Sequence, residues 1–211
     1  MSFRDLYTIA FITTAFFCIP TRMHAQSDSL LNTLLKEEEN DSALLPKKIL
    51  LTQRLFWGEK GLLRITGMAP LNAEQRKKEL AIRRVMLTSH QVLGFITLGG
   101  MVAQGIVGGQ LYNGKFNLRA THEMLGRGVT LSYGLTAAAS RFAPPPLINR
   151  DKKITSIRLH KWLSIVHMSG MIATNILGNS IKNNPELKPV HRAVAYTTFA
   201  TYAASIIVIK F

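Results

Sequence analysis

The chain has one cysteine, Cys18, and it lies inside an N-terminal apolar stretch. Removal of that stretch leaves no thiol. This excludes disulfides, and it excludes any cofactor attached through a pair of cysteines. Acidic residues are also scarce: 12 Asp and Glu stand against 26 Lys and Arg, a formal net charge of +14. On a soluble protein that balance would suggest nucleic acid, but no motif of such proteins is present, so nucleic acid is not an expected partner. The cations lie instead beside apolar runs: Arg76, Lys77, Lys78, Arg83 and Arg84, then Arg150, Lys152, Lys153 and Arg158, then Lys182, Lys188 and Arg192. Residues that anchor helix ends at lipid headgroups are placed in this way.

Even mixing of polar and apolar residues is missing too. The mean hydropathy is only +0.12, yet residues 26 to 85 are polar and residues 86 to 211 are mostly apolar. The apolar residues gather into blocks of about twenty, the length a helix needs to cross the hydrocarbon. The expected spans are Val85 to Gly109, His122 to Phe142, Ile157 to Gly178 and Val190 to Ile209. Asn113-Gly114, Pro144-Pro145-Pro146 and Asn183-Asn184-Pro185 mark the loops. Loops this short predict an all-α membrane protein with an up-down-up-down four-helix bundle over residues 85 to 211.

Met1 to Arg4, the apolar Leu6 to Ile19 and the small Ala25 read as a signal peptide over residues 1 to 25. Position −3 of the site is Met23, which departs from the small-residue pattern and leaves an uncleaved anchor as the alternative. Residues 26 to 84 then form an amphipathic and charged extension. Ser27 to Ser42 is an acidic solvated tail, and Lys47 to Thr66 predicts an amphipathic helix. That helix either lies on the membrane surface or packs on the bundle. Asn72 predicts the cap of a charged helix, Glu74 to Arg84, that runs on into the first span.

Four of the six histidines sit at the entrances of the four apolar runs: His90, His122, His160 and His191. Histidine is uncommon at membrane depth and marks function there. In an up-down bundle, His90 and His160 share one face and His122 and His191 the other, each pair on diagonal helices. Two such pairs predict axial ligation of two noncovalent hemes. One turn deeper stand Gly94, Gly126, Ser164 and Ala195, all small, as a porphyrin plate against a helix requires. His167 competes with His160 from the same helix face, but it is followed by the bulky Met171 and has no partner at its level. Arg127, Lys161 and Arg192 are the candidate partners of heme propionates, with Arg119 and Arg158 nearby.

These residues resemble the core of the cytochrome b561 family of transmembrane diheme cytochromes. The resemblance is carried by His90-Gln91-Val92-Leu93-Gly94, Leu118-Arg119-Ala120-Thr121-His122, Leu159-His160-Lys161-Trp162-Leu163 and Pro189-Val190-His191-Arg192. It covers about residues 86 to 211 and implies two b-type hemes, with the first helix paired to the third and the second to the fourth. The two helices that flank the family core have no counterpart, and the family's ascorbate-binding residues do not map.

The function expected is electron transfer, as a cytochrome or the membrane part of a ferric or quinone reductase. A periplasmic or membrane redox protein and the bilayer are the expected partners, with a homodimer left open. The alternative is a non-redox assembly or transport protein that uses the histidines for protons or metal. A cleaved signal would place residues 26 to 84, and with them His90 and His160, on the periplasmic side of a bacterial inner membrane. Arg150, Lys152, Lys153 and Arg158 outnumber Lys115 and Arg119, and the positive-inside rule read from them favours the reverse.

Overall fold

The computed structural model describes residues 44–46, 48–147 and 155–210. The expected signal peptide, the acidic tail, and Arg150, Lys152 and Lys153 lie outside the described residues. Among the described residues the structure is helical, with no strand: α1 Leu51–Trp57, α2 Leu62–Ile65, α3 Ala73–Tyr112, α4 Arg119–Arg141, α5 Ser156–Ser180 and α6 Lys188–Lys210. Single 3₁₀ turns, Phe116–Leu118 and Pro185–Leu187, lead into α4 and α6.

Local chemistry sets the ends of these helices. The Asn72 side chain accepts a 2.8 Å hydrogen bond from the Gln75 amide, and Glu74 favours the positive end of the helix dipole. Thr155 does the same for α5, accepting from the Arg158 amide at 3.1 Å. Gly114, with φ +94, makes the turn after α3 that a side chain would strain. The expected single helix over Lys47 to Thr66 is instead α1 and α2. They are broken at Gly58, where a Cβ would lie 2.5 Å from the Arg54 carbonyl oxygen.

The four long helices alternate in direction. α3 packs along α4 and α5 along α6, and α3 also touches α6. His90 midway along α3 reaches Thr136 near the end of α4, whereas Gly108 near the end of α3 faces His122 near the start of α4. The second hairpin repeats this, with His160 reaching Ser205 and Gly178 facing His191. Two helices, Ala73–Tyr112 and Pro185–Ile209, are long and apolar enough to cross a membrane. α4 and α5 carry more polar residues along their length, among them Arg127, Ser132, His167 and Asn175.

Glycine permits the close approach inside each hairpin. A Cβ on Gly170 would lie 2.2 Å from Thr198 Oγ1 and 3.2 Å from its Cβ, and one on Gly100 would lie 2.9 Å from Val129 Cγ2. Gly170→Ala is therefore expected to destabilise the protein by about 1–3 kcal/mol through overpacking. Adding Thr198→Ala removes the clashing hydroxyl and should restore most of that loss. Thermal unfolding midpoints of both purified variants check this; an unchanged midpoint for Gly170→Ala would refute the packing argument.

Candidate functional site

The bundle brings the four entrance histidines together as two pairs. The rings of His90 on α3 and His160 on α5 have centroids 6.0 Å apart and planes at 89°. Those of His122 on α4 and His191 on α6 are 6.4 Å apart at 81°. The fourteen-residue helix step from His90 to Gln104, which contacts His122, separates the levels by about 20 Å.

Backbone carbonyls orient three of the rings. His90 Nδ1–H donates to the Thr136 carbonyl at 2.8 Å, His160 Nδ1–H to Ser205 at 2.9 Å, and His191 Nδ1–H to Thr174 at 3.1 Å. A proton held on Nδ1 leaves the Nε2 lone pair available as a ligand. His122 departs from this pattern. Its Nε2 lies 3.3 Å from the side-chain nitrogen of Gln104, and its Nδ1 is buried without a partner among the described residues.

A cavity of about 1060 Å³ opens at the His122–His191 level, walled by all four long helices. Gly126 and Ala195, two of the small residues one turn below a histidine, line it. Gly94 is instead covered by Tyr202, which donates a 3.0 Å hydrogen bond to its carbonyl. Arg127 and Arg192 also line the cavity, together with Arg119, Lys182 and Lys188. The Arg192 guanidinium lies 4.6 Å from the Tyr112 ring centroid and 5.5 Å from that of Tyr196. Two aromatic faces thus hold this cation at the cavity wall. Lys161 is exposed beside His160.

His167 is packed among aromatic rings. Its Nδ1 shares a 2.8 Å hydrogen bond with the Tyr133 hydroxyl, and its ring lies 5.0 Å from that of Tyr202. All three residues are buried. Met171, Tyr133 and Tyr202 belong to the apolar core, and Thr97 adds polar contacts to Ser132 and Thr136 beside it.

The sequence reading did not single out Gln104, Gly108, Gly178, Tyr133 or Tyr202. One signal for them is an internal repeat. The shift that carries His90 to His160 also carries Gly100 to Gly170, Met101 to Met171 and Gly108 to Gly178. The shift from His122 to His191 carries Tyr133 to Tyr202 and Thr136 to Ser205. Gly108 and Gly178 are equivalent in space too: a Cβ there would lie 2.7 Å from His122 Cε1 and 3.2 Å from His191 Cε1.

Each pair has the spacing at which two imidazoles could hold one metal atom between them. A metal bound at about 2 Å by one nitrogen of each ring sets the centroids about 6 Å apart. Among the described residues, no group of three or more His, Cys, Asp or Glu side chains could hold a metal ion. No protein-family profile, curated protein or solved structure matches the chain.

Proposed function

We propose that the chain is a multi-pass, diheme b-type cytochrome of the cytochrome b561 kind in a bacterial inner membrane, with the extension before α3 on the periplasmic side. The observation that carries this reading is the pair of facing imidazoles at each of two levels. Held between these histidines, heme iron would supply one-electron chemistry.

The chain's own residues supply the rest. Carbonyls of Thr136, Ser205 and Thr174 hold the ligand rings in the Nε2-presenting tautomer. Gly108 and Gly178 leave room for the rings on the neighbouring helix. Arg127 and Arg192 offer charge to propionates at the His122–His191 end, and Lys161 does so beside His160.

The distribution of polarity supports a membrane setting for all four helices. Thr97, Thr136, His167, Thr198 and Ser205 are buried, while Val102, Ile106, Leu131, Ile172, Ile176 and Ile207 are exposed. Water would favour the opposite arrangement. Several hydroxyls of α4 and α5 also bond within their own helix. Thr136, Thr174 and Ser180 hydroxyls donate to the carbonyls of Ser132, Gly170 and Ile176 at 2.8, 2.8 and 2.9 Å. Such internal bonding lets polar helices stand in lipid.

Protein purified after expression with ample heme is expected to show the reduced bands of a b-type cytochrome and about two hemes per chain. A colourless protein would overturn the reading and favour a non-redox assembly or transport role for the histidines.

A further inference from the structure

The two short helices before α3 turn Thr52, Gln53 and Arg64 inward and leave several large apolar side chains outside. Gln53 is buried and its amide donates to the Ala143 carbonyl at 3.0 Å. The Thr52 hydroxyl donates to Arg141 at 2.7 Å, and the Trp57 indole to Phe142 at 2.9 Å. Arg64 is paired with Glu79 of α3. On the other side Leu51, Leu55, Leu62, Ile65 and Met68 are 79, 63, 51, 75 and 74% exposed. A cap facing water would bury those residues and show the polar ones.

Charge adds a second indication. A shallow cavity of about 260 Å³ on α1 is lined by Leu51 and Leu55 with Arg54 and Lys60. Two leucines with two cations complement an anionic headgroup and the start of its acyl chain. The exposed apolar surface also continues beyond the cap. Phe56 of α1 packs edge-on against Phe142 at 5.5 Å, and Phe142, Ile82 and Val85 are themselves exposed.

Helix length places the cap at the right height. α3 has 40 residues, about 60 Å, whereas the hydrocarbon is about 30 Å thick. Half of α3 must therefore project if it spans. Glu79, which holds α2, precedes His90 by about 16 Å of helix.

We propose that α1 and α2 form an interfacial cap bound to anionic phospholipid. Leu51, Leu55, Leu62, Ile65 and Met68 sit at the acyl boundary, and Arg54 and Lys60 hold headgroup phosphate. This rests on the reading of α3 to α6 as membrane-spanning.

The test uses the full chain in a Cys18→Ser background, reconstituted in vesicles of zwitterionic phospholipid with about one-third anionic phospholipid. Single nitroxide labels are placed through Leu55→Cys, Ile65→Cys, Glu59→Cys, Val102→Cys and Ile172→Cys. Positions 55 and 65 should be about tenfold less accessible than position 59 to an aqueous nickel chelate, and more accessible to oxygen. Labels at 102 and 172 report the spanning helices in the same vesicles. If they are lipid-exposed while 55 and 65 match 59, the cap proposal alone fails. If 102 and 172 are aqueous, both readings fail. Dipolar broadening between copies at position 55 would mean that a second chain, not lipid, covers this face, and would likewise overturn the proposal.

Discussion

Alanine at His122 is expected to lower the heme content of the purified protein from about two to about one per chain and to leave the remaining heme six-coordinate. His122 and His191 face each other across 6.4 Å, so loss of one ring leaves the other without a counterpart. The His90–His160 pair lies about 20 Å away along the helices, beyond the range at which substitutions usually couple.

The heme-to-protein ratio with low-temperature spin resonance measures both parts of this expectation. Loss of both hemes, or of neither, would count against the pairing of α4 with α6. His167→Ala is the control: its ring is hydrogen-bonded to Tyr133 and packed on Tyr202, so two hemes should remain.

Much of this arrangement can be read from residue order. Runs of about twenty apolar residues with histidine at each entrance, joined by Asn-Gly, Pro-rich and Asn-Pro loops, imply alternating helices and two histidine levels. The Asn72 cap and the continuation of the charged helix into the first run are likewise local features.

What escaped the sequence reading depends on contacts between helices. Nothing within α3 says that Gly108, among several glycines, is the one that meets His122. Comparing the hairpins does, since Gly178 holds the same place before His191. α1 is visibly amphipathic, but which side faces the bundle depends on the carbonyls of Arg141, Phe142 and Ala143, 85 to 90 residues further along. Polar groups on α1 turn inward because those carbonyls follow the end of α4 and need donors.

The next carbonyls along, those of Pro144 and Pro145, belong to a second network whose loss has the largest expected effect on stability. Glu79 is fully buried and pairs with both Arg64 of α2 and Arg76 of α3, whose side chains are 5% and 2% exposed. Arg64 Nη2 reaches Glu79 Oε2 at 3.0 Å and also the Trp57 carbonyl at 3.3 Å. Arg76 Nη2 donates to the Pro145 carbonyl at 3.3 Å, and Arg83 Nη1 to Pro144 at 2.6 Å. Burial, and then the charge of Arg76, push the Arg83 guanidinium below its ordinary pKa. One carboxylate thus offsets a cluster of buried cations that ties α2, α3 and the segment after α4 together.

Glu79→Ala leaves Arg64 and Arg76 buried with no countercharge, and the expected cost is about 3–5 kcal/mol. Glu79→Gln should recover only part of it, because an amide can accept a hydrogen bond but carries no charge. Replacing all three residues together, as Arg64→Met, Arg76→Leu and Glu79→Met, should come close to neutral, since no charge then needs desolvation. The cap should loosen first. Limited proteolysis is therefore expected to cut near Gly58 and Gly61 in Glu79→Ala well before the four long helices unfold. If Glu79→Ala costs less than about 1 kcal/mol, the buried triad is not what holds α1 and α2 against the bundle. The backbone carbonyls after α4 would then have to account for that attachment alone.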